Sequence, residues 1–234
     1  MKPFIFHPGE HIDRNLFLSF EHLMALYIFG GFVILLFLFR HHPFMRQVRW
    51  ILFATLVISE IGIVTWSILT GLWDIQYNLP LHLCTISLVT SSFMLATNSY
   101  KVFEIIYFFG VGGAFQAIIT PELFYTFPHF RFFHYFIAHF AIILAIFYMI
   151  WVCNYTVKFR SAFKAFLVLN CIAAVAITVN HLTGANYMFL ARKPVTPSIL
   201  DWLGPYPWYI LSLELLAIIL FLLLCVPFYL RQRQ

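Results

Sequence analysis

The chain has 234 residues, 62% of them hydrophobic and 10% charged, with a net charge of +5. Soluble domains carry about 25% charged residues, and a chain with a mean hydropathy of +0.89 cannot cover its surface in water. Lipid is the solvent this composition demands. It excludes a soluble nucleic-acid-binding domain despite the positive charge, and no nucleic-acid partner is expected.

Lipid admits only helices or closed barrels, because every backbone polar group must pair internally. The apolar runs here are long and do not alternate with period two, which selects helices. The first fifteen residues are mixed and polar, so no cleavable signal peptide is expected. Seven spans follow, at about Leu16–Phe39, Trp50–Trp73, Leu81–Thr97, Val102–Leu123, Phe132–Asn154, Ala165–Thr183 and Trp208–Leu230. Each approaches the roughly 20 residues a bilayer requires, and the third is the shortest. The reading is an all-α, seven-transmembrane-helix bundle that makes residues 1–234 a single domain in a cell membrane.

Lys and Arg set the orientation. Arg40, Arg46, Arg49, Lys101, Lys158, Arg160, Lys164, Arg231 and Arg233 fall on one side; Lys2, Arg14, Arg131, Arg192 and Lys193 fall on the other. The positive-inside rule then places the N-terminus outside and the C-terminus in the cytoplasm. Trp50, Trp73, Trp202 and Trp208 lie at span ends or in a flanking loop, as an interfacial belt requires.

Ionisable groups inside spans are costly, so each is a candidate for function. Glu21 and His22 lie in the outer half of span one and Glu60 near the middle of span two. His82 and Cys84 open span three, and Gln116 lies in span four before Pro121. His134 and His139 are in span five, Asn180 and His181 end span six with Asn186 beyond them, and Glu214 is in span seven. The inner halves are nearly all apolar; Asn170 and Glu104 are the main exceptions. The pattern implies a polar pocket opening to the outer side. The plainer roles are interhelical hydrogen bonding for Gln116, Asn180 and Glu60 and a headgroup-facing helix end for Glu21 and His22.

Cys153, Cys171 and Cys225 read as small hydrophobes. Cys84 differs, because it follows Pro80 in the first turns of a helix, where a thiolate is favoured. A reactive cysteine needs a base in reach. His82 is two residues away, about 200° around a helix, and serves only if it precedes the regular turns. His134 and His139 stand roughly 140° apart, so one of the two is expected to face the pocket. A metal site would use HxxH, HxxxH or HExxH pairs, and these are absent from the spans, so no metal or other cofactor is assigned. A transporter would show inverted repeats, and none is evident, although Gly110-Val111-Gly112-Gly113 is positioned to break span four.

Five segments carry a resemblance: Pro80-Leu81-His82-Leu83-Cys84, Gly112-Gly113-Ala114-Phe115-Gln116-Ala117, Phe133-His134-Tyr135 with His139, Asn186-Tyr187-Met188-Phe189-Leu190, and Gly204-Pro205-Tyr206-Pro207-Trp208-Tyr209. In order and spacing they resemble the YwaF-type integral membrane proteins of bacteria. That family is similar to a eukaryotic transmembrane acyltransferase that places polyunsaturated chains on ether phospholipids. It is more distantly similar to membrane hydrolases of fatty-acid esters of hydroxy fatty acids. The resemblance implies a cysteine nucleophile at Cys84 and a downstream histidine at His139 or His134, acting on membrane phospholipids or lysophospholipids. His82, Gln116, His181, Asn186, Glu60 and Glu214 are then candidates to line the substrate pocket. The rival readings are a lipid or solute transporter and a structural partner of a cell-envelope complex.

Overall fold

In the computed structural model, which describes residues 6, 16–123, 125–194 and 199–231, the apolar runs fold into seven helices, and no strand is found among the described residues. They are α1 (Phe20–Leu38), α2 (Met45–Thr70), α3 (Leu83–Thr97), α4 (Tyr100–Ile119), α5 (Phe130–Trp151), α6 (Phe159–Thr183) and α7 (Trp208–Arg231). Six are long and apolar enough to cross a membrane, and α3, with 15 residues, is shorter. Of the expected topology signals, Lys2, Arg14 and Arg233, with most of the polar leader, lie outside the described residues.

The helix ends depart from the apolar runs for local reasons. Helices α2 and α6 begin several residues early and carry Arg46, Arg49, Arg160 and Lys164 in their first turns, where the long stems of Arg and Lys let helix persist beyond the apolar stretch. Helix α4 stops at Ile119 instead of running to Leu123, because Thr120 precedes Pro121 and a residue before proline is pushed out of helical geometry. Helix α3 starts at Leu83, with His82 as its extended N-cap.

Helix α5 is the hub. It packs against α1, α2, α3 and α4, and 72% of its apolar window is buried, against 17% for α7. One apolar cluster draws residues from all seven helices, from Ala25 in α1 to Phe228 in α7. Within α4 the turn Gly110–Ala114 is a π-turn, and its glycines let three neighbours approach. A Cβ at Gly110 would lie 2.2 Å from Ile146 Cδ1, one at Gly112 would lie 3.2 Å from Leu220, and one at Gly113 would lie 3.4 Å from Leu83.

At the end of the bundle where α3 stops, polar contacts are satisfied locally. Arg49 donates to the carbonyls of Leu95 (2.6 Å) and Ala96 (3.0 Å) at the C-terminus of α3. Glu104 accepts from Lys164 (2.7 Å) and Ser161 (2.9 Å). The outer surface is apolar, with Phe20, Tyr27, Leu182 and the four expected belt tryptophans all exposed. This is the architecture of a multi-pass membrane protein.

Gly110→Val would drive two methyls into buried Ile142 and Ile146. The expected cost is about 1–3 kcal/mol, read as a lowered unfolding temperature in detergent, with Gly30→Val, whose Cβ meets nothing within 4 Å, as the neutral control.

Candidate functional site

The loop after α6 folds back over the start of α3. Asn180 brackets Tyr187, donating to its carbonyl (3.0 Å) and accepting from its N–H (2.7 Å). The Tyr187 hydroxyl donates to Ile75 O (2.5 Å) and accepts from Leu79 N–H (2.9 Å), which ties this loop to the α2–α3 connection. Gln76 adds a bond to Thr183 O at 2.8 Å. Burial raises the Tyr187 pKa, so the hydroxyl remains a donor. The His82 ring stands edge-on to Tyr187 at 5.0 Å between centroids. Met188 and Phe189 take positive φ values of 56° and 55°, a backbone course held in place by these bonds and by the Tyr209 hydroxyl on Phe189 O.

Beneath this cover, α3 and α5 share a polar seam. Cys84, in the first turn of α3, is half-buried and free. It lies within electrostatic range of Tyr135 of α5. The Tyr135 hydroxyl donates to Ala117 O at 2.8 Å, and its ring lies 4.3 Å from that of His139. His139 is buried, with Nδ1 2.6 Å from Tyr135 O. A carbonyl only accepts, so Nδ1 carries the hydrogen and Nε2 presents its lone pair. His134 sits against the Ser59 carbonyl and within electrostatic range of both His139 and Arg131.

Among the described residues, five buried side-chain atoms have no hydrogen-bond partner: Ser87 Oγ, Ser91 Oγ, Arg131 Nε, His134 Nε2 and His139 Nε2. All lie on α3 and α5, which touch. Buried polar groups are nearly always paired, so such a concentration requires an explanation. Ser87 and Ser91 continue the Cys84 face of α3 at spacings of three and four residues, which a helix stacks on one side. The sequence reading missed them. A serine in a helix usually bonds the carbonyl four residues back and reads as inert, yet the Cys84-Ser87-Ser91 spacing was there to be seen.

The remaining candidates fall in different places. His82 caps α3 and faces Tyr187. Gln116 and His181 are exposed, and the inward-facing polar residue at the end of α6 is the preceding Asn180, one helical step of 100° away. Asn186 spends its amide on its own loop, donating to Arg192 O and accepting from Ala191 and Arg192 N–H. Glu60 is half-buried beside Ser59. Glu214 accepts from Asn170 at 2.9 Å, joining α7 to α6. His22 is fully buried rather than headgroup-facing, because both its nitrogens are engaged. Nδ1 accepts from Leu18 N–H (3.1 Å), so Nε2 donates to Ile118 O (2.8 Å). No three His, Cys, Asp or Glu side chains among the described residues form a metal-binding group.

These features define a class, a multi-pass helical membrane protein whose unpaired buried polar atoms gather inside the bundle. The chain belongs to the TMEM164 family, whose profile matches residues 17–225. It is also similar to an uncharacterized protein of Treponema pallidum (strain Nichols), 27% identical over 231 residues, which span 94% of this chain and 93% of that one. No solved structure matches it.

Tyr187→Phe would leave Ile75 O and Leu79 N without their partner. The expected loss is about 1–3 kcal/mol, seen as a lower unfolding temperature together with faster proteolytic cleavage in the α6–α7 loop.

Proposed function

We propose that this protein is a membrane-embedded acyltransferase or transacylase acting on phospholipids, with hydrolysis as its side reaction when water is the acceptor. The observation that carries the reading is the free Nε2 lone pair of His139. Its tautomer is fixed by Tyr135 O, and its ring packs on that of Tyr135 in a helix that touches α3, the helix that carries Cys84. A general base needs a deprotonated nitrogen that nothing else occupies, and His22, with both nitrogens engaged, shows the contrasting structural use.

In the proposed reaction His139 takes the thiol proton as Cys84 Sγ attacks the carbonyl carbon of a lipid ester. The tetrahedral intermediate collapses with loss of the alcohol, which receives that proton from His139, and the acyl group remains as a thioester on Cys84. A hydroxyl of a lysophospholipid then attacks the thioester, His139 accepts its proton, and the new ester leaves as the thiol is restored. His134, within range of His139, is the alternative proton carrier. Ser87 and Ser91 are placed on the cysteine's face of α3 to donate to an oxygen of the bound lipid, a role the exposed Gln116 and the loop-bound Asn186 fill less well.

The same reading places the protein as one undivided domain in a bacterial cell membrane, N-terminus outside, with the site toward the outer leaflet. It aligns the chain with the YwaF-type proteins. The charge bias of the loops and the position of the seam near the start of α3 support that orientation.

Incubation with an acyl-alkyne phospholipid is expected to label the wild-type protein through a hydroxylamine-sensitive bond. Cys84→Ala abolishes the label, and His139→Gln reduces its rate by about 10²–10⁴-fold. Full labelling or full transacylation in Cys84→Ala defeats the reading.

A further inference from the structure

Arg131, expected as a loop charge that sets topology, occupies the first turn of α5 and is half-buried. Its guanidinium lies over the Trp66 ring at 5.7 Å and is within electrostatic range of His134 and Tyr125. Its Nε is sealed from solvent and has no hydrogen-bond partner. The ion pair found among the described residues, Lys164 with Glu104, lies at the other end of the bundle. The result is a partly buried, permanently positive group with no ion-pair partner among the described residues, a costly arrangement inside a membrane protein. Guanidinium is also the side chain whose fork of donors best matches a phosphate.

The second observation is the distribution of the other unpaired atoms. His134 Nε2 and His139 Nε2 continue inward from Arg131 along α5, and His139 is more than nine-tenths buried. Arg131 and Tyr135, which lies within electrostatic range of Cys84, are one helical turn apart, a rise of about 6 Å. A glycerol unit separates the phosphate from the ester carbonyl of a glycerophospholipid on that scale. The α5 N-terminus adds a favourable dipole for an anion at Arg131.

We infer that Arg131 is the phosphate anchor of the site, holding the phosphodiester of a phospholipid or lysophospholipid at the mouth of the bundle while its ester or free hydroxyl reaches toward Cys84. The inference rests on the lipid-acyl reading for the identity of the ligand, but binding at Arg131 requires no catalysis.

The test uses purified full-length protein carrying Cys84→Ala, so that no turnover intervenes. Affinity is measured by thermal stabilisation with a lysophosphatidylglycerol, with a monoacylglycerol of the same chain, and with inorganic phosphate. The lysophospholipid is expected to bind at least about tenfold more tightly than the monoacylglycerol. Arg131→Gln removes that difference, Arg131→Lys retains part of it, and inorganic phosphate competes weakly. Equal affinity for the two lipids on the Arg131-containing protein overturns the inference even if no variant folds. Phosphate stabilising as strongly as the lysophospholipid also overturns it, marking a site for the free anion. A preserved preference in Arg131→Gln does the same. Binding as expected in a protein whose Cys84 proves inert would sink the acyl-transfer reading alone.

Discussion

Helix α5 is buried on nearly every side, yet it carries an arginine, two inward histidines and two tyrosines. Everything else in the structure depends on how that helix is surrounded. In lipid a polar group gains nothing by turning outward, so it must find a partner inside or await one. Most of the chain's polar groups found partners. Glu104 took Lys164 and Ser161, Glu214 took Asn170, and His22 took two backbone groups. Among the described residues, the buried side-chain atoms left over are confined to α3 and α5.

That division separates structural polarity from chemical polarity. The satisfied groups fix the helices: Arg49 binds the end of α3, Asn180 and Tyr187 close the loop above its start, and the glycines of α4 admit three neighbours at close range. The unsatisfied groups are held by this frame without being consumed by it. His139 is the clearest case, since its Nδ1–H is committed to Tyr135 O while Nε2 stays free. Such a nitrogen costs stability when nothing is bound.

Much of this was legible in the sequence. Long apolar runs gave the helices their number and order, and Pro121 and Pro80 mark where α4 ends and α3 begins to form. The spacing of polar residues pointed to a pocket shared by all seven helices, and the unpaired buried atoms among the described residues fall on α3 and α5, the helices that carry Cys84, His134 and His139. Helical arithmetic alone separated His134 from His139 by too wide an arc, because it measures Cβ directions and not the long reach of an imidazole; both rings turn inward. It also could not tell His181 from Asn180, which differ by one step at the end of a helix. Arg131 looked like an ordinary loop charge because the helix start at Phe130 is set by the His129 cap, and nothing in the apolar pattern marks it.

The central claim is that the α3–α5 seam is a lipid site and not merely a polar knot within the bundle. The most direct measurement is photo-crosslinking with a lysophospholipid that carries a diazirine beside its glycerol, followed by mapping of the modified peptides. The account expects modification on the α3 segment around Cys84–Ser91 and the α5 segment around Arg131–His139, and competition by unlabelled lysophospholipid. Crosslinks confined to the exposed faces of α1 and α7, unaffected by competitor, would contradict it.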